Sequence, residues 1–167
     1  MNYRMKNFYM GVAEQCASMS RANRLHVGAV LVKNNNIISF SWNGTPHGWD
    51  NACEDPIYVP EDAGGWLDVS HLEAKYPHVD EEGKRYKLKT KPEVLHAEMN
   101  CLMKLAKSTE SGEHAVMFVT HSPCMECAKG IYQAGIKEVY YLRKYRNDDG
   151  LEFLAKSGIP VTKMNDI

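Results

Sequence analysis

Two short segments hold residue types at spacings that suit metal chemistry: His96-Ala97-Glu98 and Pro123-Cys124-Met125-Glu126-Cys127. One imidazole and two thiolates form a borderline-soft donor set suited to tetrahedral zinc. Two cysteines separated by two residues at a helix start can point at one ion, and the positive end of the helix dipole favours their thiolate forms. His96, Cys124 and Cys127 make three protein ligands. A fourth position is then left for water, which marks a catalytic rather than a structural site. Glu98 follows His96 at an offset that does not let it join the same ion easily, yet it can reach the water and a substrate. Zinc lowers the pKa of bound water towards ~7, and a carboxylate beside it can take that proton and return it elsewhere. A Cys-x-x-Cys pair alone also fits structural or redox roles, and His-Ala-Glu alone says little. Both halves, each opening a predicted helix, outweigh those readings.

These segments need elements to hold them. Phe8, Val12, Cys16 and Met19 recur at helical spacing, with Met5 one step earlier, so the first segment is a helix that fails around Ser20 to Arg24. Leu25 to Val32 reads as a strand, Lys33 to Asn36 as a turn because Asn tolerates left-handed backbone, and Ile37 to Trp42 as the returning strand. A helix is predicted from Pro92 to about Lys107, with Leu95, Met99, Leu102 and Ala106 on its apolar face. Ala115 to Thr120 is a strand. Ser122 and Pro123 then serve as N-cap and first residue of a helix lined by Ala128, Ile131 and Ala134 and stopped by Gly135. Glu138 to Leu142 is a strand, Asp148 to Lys156 a helix, and Val161 to Lys163 a short fifth strand. Alternating strands and helices imply a partly parallel sheet. The expected fold is therefore α/β, a three-layer α-β-α sandwich around a central mixed five-stranded sheet. Between hairpin and second helix, residues 44–91 form a long insertion without sustained periodicity. Trp49, Tyr58, Trp66, Leu72 and Tyr76 argue that it is ordered and packed, while Asp80 to Lys91 is polar enough to be mobile.

Composition narrows the options. A chain of 167 residues suggests one domain, able to bury roughly two-thirds of its surface without disulfides. Its 20 Lys and Arg against 21 Asp and Glu argue against a protein that rides on long nucleic acid by bulk charge. A small anionic ligand remains open. No run of ~18 apolar residues suggests a membrane span, and residues Met1 to Lys6 precede no apolar signal core. A cytoplasmic location is expected. The odd count of 5 Cys in a reducing compartment reads as metal or redox chemistry.

His-x-Glu with Pro-Cys-x-x-Cys is the signature of zinc nucleobase deaminases. The chain resembles the cytidine/deoxycytidylate deaminase superfamily, and within it the deoxycytidylate (dCMP) deaminase branch. The resemblance is carried by His96-Ala97-Glu98-Met99-Asn100, Val27-Gly28-Ala29-Val30, Trp42-Asn43-Gly44-Thr45-Pro46-His47-Gly48, Thr120-His121-Ser122-Pro123-Cys124, and Tyr140 to Tyr145. Trp42 stands where the branch has Tyr, and His121 where it has Leu. The resemblance implies that His96, Cys124 and Cys127 hold zinc and that Glu98 shuttles protons while dCMP becomes dUMP and ammonia, supplying thymidylate synthesis. It places the Ala97 backbone and the Asn43 side chain at the pyrimidine and sugar, with Ser122 as a further substrate-binding residue. Arg21, Arg24, Arg143, Lys144 and Tyr145 are candidates for the 5′-phosphate.

The resemblance also implies a homo-hexamer or other homo-oligomer, activated by dCTP and inhibited by dTTP, with magnesium on the triphosphate. The effector site would draw on Gly44, His47, Gly48, Asn51, Glu54 and Lys107. Some relatives carry a second, structural zinc. Here Ala22 and Ala52 replace two of its expected cysteines, and Cys53, His71 and His78 match no compact zinc spacing. Cys16, Cys101 and His26 read as packing or satisfied polar residues. Rival readings are a cytidine, guanine or tRNA-adenosine deaminase on the same scaffold, a non-catalytic zinc domain, and a nucleic-acid-binding zinc module. Glu98 speaks against the second, and the charge balance and missing second Cys pair against the third.

Overall fold

The computed structural model describes residues 1–61 and 68–165; Trp66 of the insertion lies outside them. In chain order the elements are α1 (Tyr3–Ser18), β1 (Gly28–Lys33), β2 (Asn36–Trp42), β3 (Glu54–Tyr58), α2 (Val69–Lys75), β4 (His78–Val79), β5 (Arg85–Thr90), α3 (Ala97–Leu105), β6 (Val116–His121), α4 (Met125–Gln133), β7 (Glu138–Arg143), α5 (Asp149–Lys156) and β8 (Val161–Lys163). The main sheet has five strands in the order β2-β1-β6-β7-β8. β1 is antiparallel to both β2 and β6, while β6, β7 and β8 are parallel. The expected mixed sheet is thus observed.

Its two faces bury different helices. Ala29, Leu31, Met117, Val119, Val139 and Tyr141 pack with residues of α3, α4 and α5. Val30, Val32, Val116, Phe118, Tyr140 and Leu142 pack against Tyr9, Met10, Ala13 and Cys16 of α1. A strand covered on both faces reads as an unbroken apolar run, as β1 and β6 do. The hairpin turn places Asn34 and Asn35 at φ of 51° and 62°, as their residue type foretold.

Several expectations shift. Phe8 of α1 and its C-cap Met19 are exposed, and the buried stripe is Tyr9, Met10, Ala13, Cys16 and Ala17. The Tyr9 hydroxyl anchors that rotation by donating to the Asn35 carbonyl at 2.6 Å. The strand predicted from Leu25 begins at Gly28. The helix predicted from Pro92 begins at Ala97, because Leu95 is paired with Gly44 in a two-way backbone bridge. Ser122 does not cap α4; Cys124 does, and the Ser122 hydroxyl instead accepts the Tyr145 N–H at 2.7 Å.

The insertion forms its own three-stranded antiparallel sheet in the order β3-β5-β4. The segment expected to be mobile supplies its central strand. There Tyr86, Leu88 and Thr90 alternate with Lys87 and Lys89, a period of two masked by its high charge.

Candidate active site

The site lies across one end of the main sheet's strands. Parallel strands β6 and β7 end there, the usual place for ligands in such sheets. β2 ends there too, and β1, running the opposite way, begins there. The segments beyond these ends supply Asn43, Val27, Ser122, Cys124 and Tyr145. With the starts of α3 and α4 they line a cavity of about 440 Å³.

α3 is pinned onto the sheet by two buried serines of β2. Ser41 Oγ donates to the Ala97 carbonyl at 2.6 Å and Ser39 Oγ to the Cys101 carbonyl at 2.7 Å. His96 is the N-cap of α3 and Cys124 the N-cap of α4. One turn into α4, Cys127 faces His96. His96 Nδ1 lies 3.5 Å from Cys124 Sγ and 3.4 Å from Cys127 Sγ, and the three donor atoms fall within 4.8 Å of one another. Around tetrahedral zinc, with bonds of about 2.05 Å to nitrogen and 2.3 Å to sulfur, N···S separations come to about 3.5 Å. The donor set and its spacing fit that ion.

Electrostatics among these side chains follow from their packing. A hydrogen bond from Cys127 holds the Cys124 thiol down to about 3, with His96 adding to the effect. Cys127 is pushed far up, since it shares that hydrogen bond and is buried. His96 is raised by its contact with Cys124. Glu98 is 4% exposed. Burial drives its carboxyl up to about 7, against the opposing pull of its own backbone N–H and of His96.

The positions named from sequence separate into groups. His96, Ala97, Glu98, Cys124, Asn43, Ser122, Arg24 and Tyr145 all line the cavity, whereas Arg21 does not. Asn43 is a brace: Oδ1 accepts the Val27 N–H at 2.8 Å and Nδ2 donates to the Leu25 carbonyl at 2.8 Å. Arg143 reaches Glu14 of α1 and stays outside the cavity lining. Lys144 lines the cavity and pairs with Asp148 at 2.8 Å. Glu54, grouped from sequence with the effector residues, lies in this cavity. Gly44 bridges to Leu95 just before α3, His47, Gly48 and Asn51 are exposed in the following loop, and Lys107 is exposed past the other end of α3. A helix of nine residues, about 13 Å long, separates the two ends. Gly44 and Lys107 thus lie at opposite ends of α3.

Sequence reasoning passed over Thr90, His121 and Arg146, which also line the cavity. The alternation in β5 could have flagged Thr90. Arg146 stacks its guanidinium 5.3 Å from the Tyr145 ring centre, and only its adjacency to Tyr145 pointed to it. Ala22 packs with Cys53 and Val94 in a small apolar cluster.

Gly150 is a further missed position. A Cβ there would sit 2.1 Å from the Pro123 carbonyl oxygen and 2.9 Å from that of Cys124. α5 can approach the ligand-bearing loop this closely only without a side chain. Gly150→Ala is expected to cost ~1–3 kcal/mol, as overpacking does, and to weaken zinc retention. Denaturant unfolding and metal analysis after dialysis check both; wild-type values would reject the contact's importance.

The family model for the cytidine and deoxycytidylate deaminase zinc-binding region matches residues 4–143. Deoxycytidylate deaminase of Enterobacteria phage T4 is 34% identical over 153 residues, spanning 81% of this chain and 77% of that protein. The Homo sapiens deoxycytidylate deaminase is 34% identical over 146 residues, spanning 85% and 67%. A crystal structure of dCMP deaminase from the cyanophage S-TIM5, in complex with dCMP and dUMP, matches with a TM-score of 0.77 at 40% identity, over 98% of this chain and 99% of that one. With the His96, Cys124 and Cys127 cluster inside the matched region, the chain belongs to the family of zinc-dependent cytidine and deoxycytidylate deaminases.

Proposed function

We propose that the protein hydrolyses dCMP to dUMP and ammonia. The observation that carries this reading is one cavity holding Glu98 beside the three-donor cluster, with Arg24, Lys144 and Arg146 on its exposed side. His96, Cys124 and Cys127 would hold zinc, which when bound supplies the Lewis acidity that makes water a nucleophile near neutral pH. Water adds to C4 of the cytosine and the amino group leaves. Glu98 accepts a proton from the attacking water, passes it to N3, and delivers a second to the departing nitrogen. Buried in the cavity lining beside the cluster, Glu98 is placed for both tasks. The Ala97 backbone and the remaining amide N–H and oxygen lone pair of Asn43 line the space for pyrimidine and sugar, and the cationic side receives the 5′-phosphate. The cyanophage S-TIM5 relative is seen in complex with dCMP and dUMP, the same pair.

The reading extends to control by dCTP as activator and dTTP as inhibitor, with magnesium on the triphosphate. Lys107 and Gly44 stand at opposite ends of α3, which favours an effector site shared between two copies in a homo-oligomer such as a hexamer. Ammonia release from dCMP, dCTP, CMP and deoxycytidine tests the whole reading, each with and without either effector. The expected result is highest kcat/KM for dCMP, half-saturation raised by dTTP and lowered by dCTP, and couplings of about 1–3 kcal/mol. Equal rates on dCMP and deoxycytidine reject the substrate; hyperbolic kinetics blind to both nucleotides reject the control.

A further inference from the structure

The insertion reaches the cavity at two opposed positions. Glu54 of β3 and Thr90 of β5 are partners in the antiparallel register, so their side chains share one face, and both line the cavity with Arg24. Glu54 is 9% exposed. Its carboxylate accepts the Asn23 N–H at 3.0 and 3.2 Å, the Arg24 N–H at 3.2 Å and the Asn23 side-chain amide at 3.4 Å. Thr90 Oγ1 accepts from Arg24 Nη1 at 2.9 Å. Backbone and guanidinium of Arg24 are thus both held from one end of the insertion's sheet.

We propose that Glu54 is a positioning residue which, with Thr90, fixes Arg24 for the substrate's 5′-phosphate and makes the insertion a determinant of nucleotide over nucleoside. The assignment rests on the dCMP reading above. It replaces the effector role that sequence reasoning gave Glu54.

The chemistry requires a carboxylate there. Several N–H donors converge on one side chain, and only an ionised carboxyl offers acceptors on both arms. Gln would turn one arm into a donor facing donors. Apart from Glu54, the segment is tied through Ser20, whose Oγ accepts the Ala22 N–H, and through the His26 ring at the Ala22 carbonyl. Arg24 itself is exposed, and a long side chain gains from having its geometry set before the ligand arrives. Glu98 and the metal-binding trio ride on α3 and α4, where Glu54 makes none of these bonds. Loss of the clasp therefore falls on phosphate binding and spares the chemical step.

The experiment is steady-state kinetics of zinc-loaded wild type, Glu54→Gln, Thr90→Val, Arg24→Ala and Glu54→Gln/Arg24→Ala, on dCMP and on deoxycytidine. Glu54→Gln is expected to lower kcat/KM for dCMP roughly 10–100-fold, the scale of hydrogen bonds to a charged group, chiefly through KM. Deoxycytidine kcat/KM is expected to move less than about threefold. Thr90→Val, which keeps the carboxylate, is expected to shift discrimination in the same sense by a smaller factor. The double variant is expected to be no worse on dCMP than Arg24→Ala alone, since both changes remove one interaction. Equal losses on the two substrates, multiplying losses in the double variant, or unchanged discrimination in both single clasp variants would overturn the proposal. A wild type that does not prefer dCMP overturns the substrate reading itself, and is seen before any variant is compared.

Discussion

Glu98→Gln is expected to lower kcat by at least about 100-fold while leaving zinc content and fold unchanged. General acid/base groups contribute roughly 10²–10⁴-fold, and Glu98 is the carboxyl placed inside the cavity against the cluster. An amide of the same shape can neither take the proton from water nor hand it on. It is not one of the three donor atoms, so metal analysis should find stoichiometric zinc in an inactive protein. Near-normal turnover would reject the assigned role. The same substitution has a second, opposite effect on the metal-stripped chain. Burial raises the Glu98 carboxyl from 4.5 to about 7, so the folded chain holds this proton more tightly than the unfolded one. The resulting stability is complete below about pH 4.5 and is lost as pH rises through about 7. At pH 8 the buried charge costs about 3 kcal/mol relative to a neutral group. Metal-stripped Glu98→Gln should therefore be more stable than stripped wild type at pH 8, with the gap closing near pH 4. Urea unfolding at the two pH values reads this directly. A residue that destabilises its own fold is one retained for chemistry.

Much of this centre could be read from the chain because each half of it is local. His96 and Glu98 lie on one helix start, and Cys124 and Cys127 on another, so spacing along the sequence fixes geometry within each half. The five-stranded sheet was legible for a related reason: strands buried on both faces are unbroken apolar runs. What stayed hidden depends on long-range packing. Nothing in the residues around Pro92 announces that Leu95 will pair with Gly44 and delay α3. The charges of β5 hide its alternation, and so hid Thr90. Glu54 is 30 residues from the Arg24 backbone it holds, a separation that no local pattern can encode. The rotated face of α1 belongs to the same class, since a Tyr9 contact with the β1–β2 turn overrides the simple apolar count.

Cys124→Ser and Cys127→Ser are each expected to lose zinc and at least about a thousandfold in kcat, equivalent to about 4 kcal/mol of barrier. His96 Nδ1 stands 3.5 and 3.4 Å from the two sulfurs, separations that suit bonds of sulfur length. A hydroxyl binds at shorter range and is a far weaker, harder ligand, so the helix starts would have to move inward to use it. They are not free to do so. α3 is tied to β2 through Ser39 and Ser41, and the Cys124 backbone is packed against Gly150. A two-donor remnant therefore remains, too weak to keep the ion through dialysis. The two variants differ in how they disturb the protein. Cys127 is 1% exposed, so its serine also buries a hydroxyl beside Glu98, whereas Cys124 opens to the cavity. Cys127→Ser should accordingly show the larger fall in unfolding free energy, with metal loss common to both. This pattern sets them apart from Glu98→Gln, which loses rate but not zinc. Either cysteine variant retaining stoichiometric zinc at wild-type turnover would show that the cluster is not the seat of the reaction.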